Sequence, residues 1–186
     1  MFDEKKIREY VKTAHEIAVK HGFHQEPRSD MHWLCLIISE VMEAMEADRK
    51  SHRAQRKMFE ANFNTKQAVG HVIEHRMFVF NQFIKDSVED EIADAAIRIF
   101  DFIGEKFGDS ITYEGEGIRK MYLEGTFTEM AYNFIYYVLG PGEAQLTDSI
   151  DFLYAWADKL DFDLDWHIEQ KMKYNRFRPK LNGKQY

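Results

Sequence analysis

The segment Asp30–Lys50, DMHWLCLIISEVMEAMEADRK, decides how this chain is read. Leu34, Ile37, Ile38, Val41 and Met45 recur at helical spacing and mark the main apolar stripe of a long helix. Glu40 and Glu43 sit inside the same segment, three residues apart and so on one helical face. Leu36 and Ala47 fall on that side as well, so the face is not simply wet. A later segment repeats the pattern. Val88, Ile92, Ala95, Ile99 and Phe102 form its buried stripe, with Glu91 at the stripe's shoulder and Asp94 three residues on. Two such helices in contact would aim Glu40, Glu43, Glu91 and Asp94 at one place.

Four carboxylates in one place repel strongly unless a cation lies among them. Hard oxygen donors of this kind favour Mg²⁺, with Mn²⁺ also suited. Glu46 extends the first acidic ridge and Asp101 the second, and either would support the metal shell.

The rest of the chain reads as helices separated by glycine and proline. Three prolines and ten glycines lie mostly between periodic segments, and no alternating strand pattern dominates. The fold class is all-α. A first helix runs from about Asp3 to Lys20 and ends at His21-Gly22. Ser29 or Asp30 caps the second. Residues 51–82 read as one or two helices broken near residues 62–65 and Gly70. Asp86 or Ser87 caps the next helix, whose first turn carries Glu89, Asp90 and Glu91, favoured by the helix dipole. It stops between Gly104 and Gly108, and Gly115-Glu116-Gly117 interrupts the next segment. Thr126 or Thr128 starts another helix, ended by Gly140-Pro141-Gly142. Ile150, Leu153, Ala157 and Leu160 describe a further one, and the last runs from Asp163 to before Pro179.

The 186 residues suffice for one domain with a real core, so residues 1–186 are read as a single unit. Apolar residues make up 45% and charged ones 31%, as in ordinary globular proteins. A net charge of −7 sets nucleic acid aside as a partner. No stretch is apolar enough to span a membrane, and the first residues lack the layout of a signal peptide. The lone cysteine, Cys35, reads as a small core residue and suits a reducing compartment. The expected location is cytoplasmic.

Opposite charge gathers at the C-terminal end. Lys171, Asn175 and Arg178 share one helical face and together would grip phosphate oxygens. A metal-bridged phosphate needs both halves, acids for the ion and bases for the remaining charge.

The acidic segments Ser39-Glu40-Val41-Met42-Glu43-Ala44 and Glu89-Asp90-Glu91-Ile92-Ala93-Asp94-Ala95 resemble the Glu-x-x-Glu and Glu-x-x-Asp signature of the all-α nucleoside triphosphate pyrophosphohydrolases. These include MazG, the dimeric dUTPases and the dCTPases. Lys171-Met172 followed by Asn175 and Arg178 is similar to the ending of dCTPase-like members. The resemblance is clearest over residues 31–50, 87–104 and 163–179. It implies a MazG-like helical bundle that assembles as a homodimer or a dimer of dimers. It implies Mg²⁺-dependent hydrolysis of a nucleoside triphosphate to the monophosphate and pyrophosphate, a nucleotide-pool house-cleaning activity. By the same resemblance Glu40, Glu43, Glu91 and Asp94 are metal ligands, with Glu40 or Glu43 also activating the water. Lys171, Asn175 and Arg178 would contact phosphates or sugar. Two departures stand out. Residues 51–82 are an insertion relative to compact MazG domains. The lysine that some members carry three residues before Glu-x-x-Asp is Val88 here, and Lys85 is its replacement if the preceding loop turns inward.

Base recognition is less visible. His32 and Trp33 precede the first acid pair, and Phe2, Phe23, Phe78, Phe80 and Phe83 are further stacking candidates. His21 and His24 straddle a helix end and read as surface or cap. The aromatic helices, with Phe134, Tyr136, Tyr137 and Trp156, point to a homodimer. Two other functions compete. One is a non-catalytic helical adaptor. The other is an enzyme of the phosphoribosyl-ATP pyrophosphohydrolase type, with the same carboxylates and a different substrate. A di-iron bundle is disfavoured, because no glutamate is followed three residues later by histidine.

Overall fold

The structure, a computed structural model, describes residues 4–63, 72–108, 120–140 and 144–183. Phe2, Gly70 and the Gly115-Glu116-Gly117 break lie outside them. Among the described residues there are helices and turns and no strand. The helices are α1 (Glu4–Lys20), α2 (Asp30–Arg49), α3 (Arg56–Phe63), α4 (Val72–Phe83), α5 (Val88–Phe107), α6 (Phe127–Val138), α7 (Ala144–Lys159) and α8 (Leu164–Asn175). None is long and apolar enough to cross a membrane.

Helix α5 is the axis of the molecule. It packs against α2, α1, α8 and α7. It is therefore buried on nearly every side, from Val88 to Ile103, charged residues included. Ser87 begins it, its hydroxyl accepting the Asp90 N–H at 3.2 Å. Asp86 is not the cap. It sits in the left-handed region at φ 61°, where its N–H donates to Asp90 Oδ2 at 3.0 Å. At the far end Gly108 closes the helix. Thr126 starts α6 with a full capping box, Glu129 answering its backbone N–H. Asp163 caps α8 through the Trp166 N–H. Ser29 takes the cap position of α2 by backbone alone, without a side-chain hydrogen bond.

The buried face of α2 differs from the apolar stripe read in sequence. Trp33, Ile37, Val41, Ala44 and Ala47 are buried together with Glu40, while Leu34, Ile38 and Met45 are only half-buried. The helix packs chiefly on α5 and also on α6, and its fully buried line takes in Trp33, two alanines and one carboxylate while Leu34, Ile38 and Met45 pack at the edge of the core. Cys35 shares the outward line with Met31, Ile38 and Met42 and is exposed, so it is not a core residue. Phe134 and Trp156 are fully buried in the chain's own core, where Trp156 meets Phe127 and Phe152, whereas Tyr136 is exposed.

Helices α3 and α4, from the segment read as an insertion, pack on each other. They enclose a smaller cluster of Phe59, Val79, Phe80 and Ile84 closed by Tyr174 of α8. Phe80 stacks on Tyr174 with ring centroids 4.4 Å apart, and the Tyr174 hydroxyl donates to Asn81 Oδ1 at 2.8 Å. This unit braces the side of α8 that carries Lys171 and Asn175.

Loss of the α5 cap in Ser87→Ala should lower unfolding free energy by about 1 kcal/mol. Emptying the fully buried Phe100 site with Phe100→Ala should cost ~3–5 kcal/mol. Urea unfolding followed by circular dichroism measures both.

Candidate metal and phosphate site

Packing α2 across α5 brings the two acid pairs to one cleft of about 240 Å³, walled also by α1, α8 and the turn at Lys85. Glu40, Glu43, Glu91 and Asp94 all line it. Glu40, Glu43 and Glu91 each offer an oxygen within 4.8 Å of the others, a spacing suited to sharing one cation. Glu40 and Glu91 are buried and Glu43 is exposed, so the cluster has one wet side.

Two cations already hold this cluster together. Arg98 Nε donates to Glu40 Oε1 at 2.8 Å. Lys171 Nζ, itself buried, lies 2.6 Å from Asp90 Oδ2 and 2.8 Å from Asp94 Oδ2. Asp94 thus reaches the cleft with one oxygen committed to Lys171. Neither Asp90 nor Arg98 stands out by motif. Both, however, lie four residues from Asp94 on α5, a spacing that continues one helical face. Lys171 serves first as counter-ion to α5. Burial alone would lower its ammonium, and Asp90, Asp94 and Glu91 overrule that and hold it above its ordinary value.

The acids respond in the opposite sense. Burial pushes the Glu91 carboxyl up to about 9, helped by Asp94, Asp90 and Glu40 and opposed by Lys171. Burial and then Asp94 also push Glu40 up, against Arg98. Burial raises Asp90 too, with Lys171 pulling it back. Burial first, and crowding by like charges second, raise the proton affinity of these carboxyls, the combination found where acids are gathered at a site. All the donors are hard oxygens, which fits a Mg²⁺-class ion.

The remaining basic residues lie on the rim. Lys85 lines the cleft because Ile84 is buried and its own N–H bonds to the Phe80 carbonyl at 3.0 Å, which turns the loop inward; its ammonium pairs with Asp86. Arg178 also lines the cleft, with Nη2 donating to the Asn182 carbonyl at 3.3 Å. Asn175 Oδ1 is buried without a hydrogen-bond partner on the same wall. His21 fixes this rim. Its ring nitrogens face the Ile17 carbonyl at 2.8 Å and the Arg178 carbonyl at 3.0 Å, tying the end of α1 to the tail. It is buried, not a surface residue.

Ala14, Ile17, Ala18 and Phe23 make the other end of the cleft apolar. Of the stacking candidates among the described residues, Phe23 alone lines it. Trp33 is buried against His24, Phe80 is buried under Lys171, and Phe78 points to solvent. Glu46 is turned away, paired with Arg49 at 3.0 Å and Lys50 at 3.2 Å. Asp101 does border the cleft, held by two histidines.

Comparison with protein-family models, curated proteins and solved structures finds no match for this chain.

Glu91 carries a pH signature. Its folded pKa lies above the ordinary 4.5, so the folded state keeps a proton that the unfolded chain has lost. That stabilisation is complete below 4.5 and is lost as pH rises through about 9. Metal-free protein should therefore become easier to unfold with urea across this window. Glu91→Gln should flatten that dependence, and an unchanged slope would rule Glu91 out as its source.

Proposed function

We propose that this chain is a Mg²⁺-dependent hydrolase that cleaves a nucleoside triphosphate to the monophosphate and pyrophosphate. The observation that carries this reading is the convergence of Glu40, Glu43, Glu91 and Asp94 in one cleft with basic residues on its rim and an apolar end.

The acids would hold the metal. When bound, a divalent cation of this class makes water a stronger nucleophile and neutralises charge on phosphate oxygens. Everything else falls to the chain's own side chains. Glu43, exposed and lacking the cation that Arg98 gives Glu40, is the carboxylate freest to orient or deprotonate a water. Arg178 and Lys85 stand where they would meet the outer phosphates. The unpartnered Asn175 Oδ1 is an acceptor and would take a hydrogen bond from a hydroxyl or N–H of the same ligand. The apolar end at Ala14, Ile17, Ala18 and Phe23 gives a base a surface to rest on, which supports a nucleotide over inorganic polyphosphate.

The working unit we propose is a homodimer. Met31 and Cys35 stand exposed on α2, with the half-buried Ile38 and Met42 continuing the same apolar line. Tyr132, Tyr136 and Leu139 stand exposed on or just past the neighbouring α6. Light scattering should give twice the chain mass for the native protein and the monomer mass for Cys35→Lys.

Pyrophosphate release over a panel of nucleotides, with and without Mg²⁺, tests the activity. Glu43→Gln and Asp94→Asn should each reduce turnover at least ~100-fold, the scale of removing a proton-transfer group, with helical circular dichroism intact. Full activity in both variants would end this reading, as would the absence of Mg²⁺-dependent turnover over the whole panel.

A further inference from the structure

A second cluster of metal-ligating groups lies on the other side of Asp101, outside the carboxylate site. His15 comes from α1, His24 from the loop after it, and Asp101 and Glu105 from successive turns of α5. One donor atom from each of His15, His24 and Glu105 lies within 4.8 Å of the others.

The hydrogen bonds leave one ring nitrogen of each histidine available as a ligand. Asp101 Oδ1 lies 3.0 Å from His15 Nδ1 and 2.7 Å from His24 Nε2. A carboxylate oxygen only accepts, so both of these nitrogens carry protons. In neutral imidazoles the opposite nitrogens, His15 Nε2 and His24 Nδ1, then hold bare lone pairs. They lie 3.9 Å and 3.2 Å from Glu105 Oε2. Three acceptor atoms gathered this closely repel unless a cation stands among them. Ligands around a tetrahedral ion with bonds of about 2.0–2.1 Å sit roughly 3.3 Å apart. The observed separations bracket that spacing.

We propose that His15 Nε2, His24 Nδ1 and the Glu105 carboxylate form a binding site for a zinc-class divalent cation, with Asp101 fixing both imidazoles from behind.

The surroundings are built for it. A carboxylate receiving the far N–H of a ligating histidine is the usual support for such sites, setting tautomer and ring orientation. Trp33 stacks on His24 with centroids 4.8 Å apart and planes 23° from parallel, holding the ring in place. Gly104 stands inside α5, where glycine costs roughly 1 kcal/mol relative to alanine. A Cβ there would come within 2.6 Å of His15 Cβ, so the glycine is what lets His15 lie against the helix beside Glu105. Glu105 keeps 47% of its side chain in solvent, which leaves room for a water as the fourth ligand. Imidazole donors distinguish this site from the all-oxygen cluster at Glu40 and Glu91 and favour zinc over magnesium. An ion here would join α1, its following loop and α5, which are walls of the neighbouring cleft.

The rival occupant is a proton, since the Asp101 hydrogen bond also raises the affinity of His15 for one. The test uses the full chain, stripped of metal and titrated with Zn²⁺ in excess Mg²⁺ by calorimetry. The expected result is one zinc bound in the micromolar range or tighter, with a rise in melting temperature. Glu105→Gln, half-exposed and safe for folding, should weaken binding at least ~10-fold and abolish that rise, and Asp101→Asn should weaken it ~10–100-fold. Co²⁺ should show a four-coordinate visible spectrum in the native protein and quench Trp33 fluorescence. Glu43→Gln should leave zinc affinity unchanged, separating this site from the carboxylate cleft. Zinc binding that is absent, or that is insensitive to Glu105→Gln, would overturn the assignment in favour of a protonated histidine network.

Discussion

Charge compensation inside α5 governs how the rest of the molecule is arranged. A helix buried on nearly every side carries Asp90, Glu91, Asp94 and Asp101 into the interior. Buried carboxylates without partners are among the costliest features a fold can hold. Lys171 from α8 and Arg98 from α5 itself supply the compensation, at 2.6–2.8 Å. These contacts tie α8 to α5 and α2 to α5 alongside the apolar packing between them. Burial, reinforced by Asp94, Asp90 and Glu40 and only partly offset by Lys171, is why Glu91 holds its proton so firmly. The site and the core are therefore one electrostatic system.

Helices are legible in the sequence because their signals are local. The start of α8 at Asp163 can be read from a few neighbouring residues, and the caps of α5 and α6 can be narrowed to two residues each, of which the structure selects Ser87 and Thr126. The rotation of α2 is not local. Its buried face is decided by what α5 and α6 offer, and periodicity alone cannot tell a stripe facing a neighbouring helix from one half-open to solvent. Cys35 reads as a core residue for that reason and is not one. Phe134 and Trp156 read as surplus apolar surface until α7 folds over α6 and consumes them.

The site shows the same division. Matching acid spacing on two helices is enough to anticipate that Glu40, Glu43, Glu91 and Asp94 share a cleft. What spacing cannot show is that Lys171 turns inward to the acids, since a basic helix end looks the same whether it faces ligand, solvent or a buried aspartate. His21 is legible only in part, since its bond to the Ile17 carbonyl caps α1 while its bond to the Arg178 carbonyl is far away in the chain. The partner of His24, a carboxylate on α5, is equally distant.

Lys171 comes 81 residues after Asp90. During synthesis α5 is complete long before its counter-ion has been made. Until α8 emerges, Asp90 and Asp94 lack the cation that the finished fold gives them. A nascent chain stalled before α8 would hold the apolar face of α5 against its earlier neighbours but carry an uncompensated acid pair and an unclosed cleft wall.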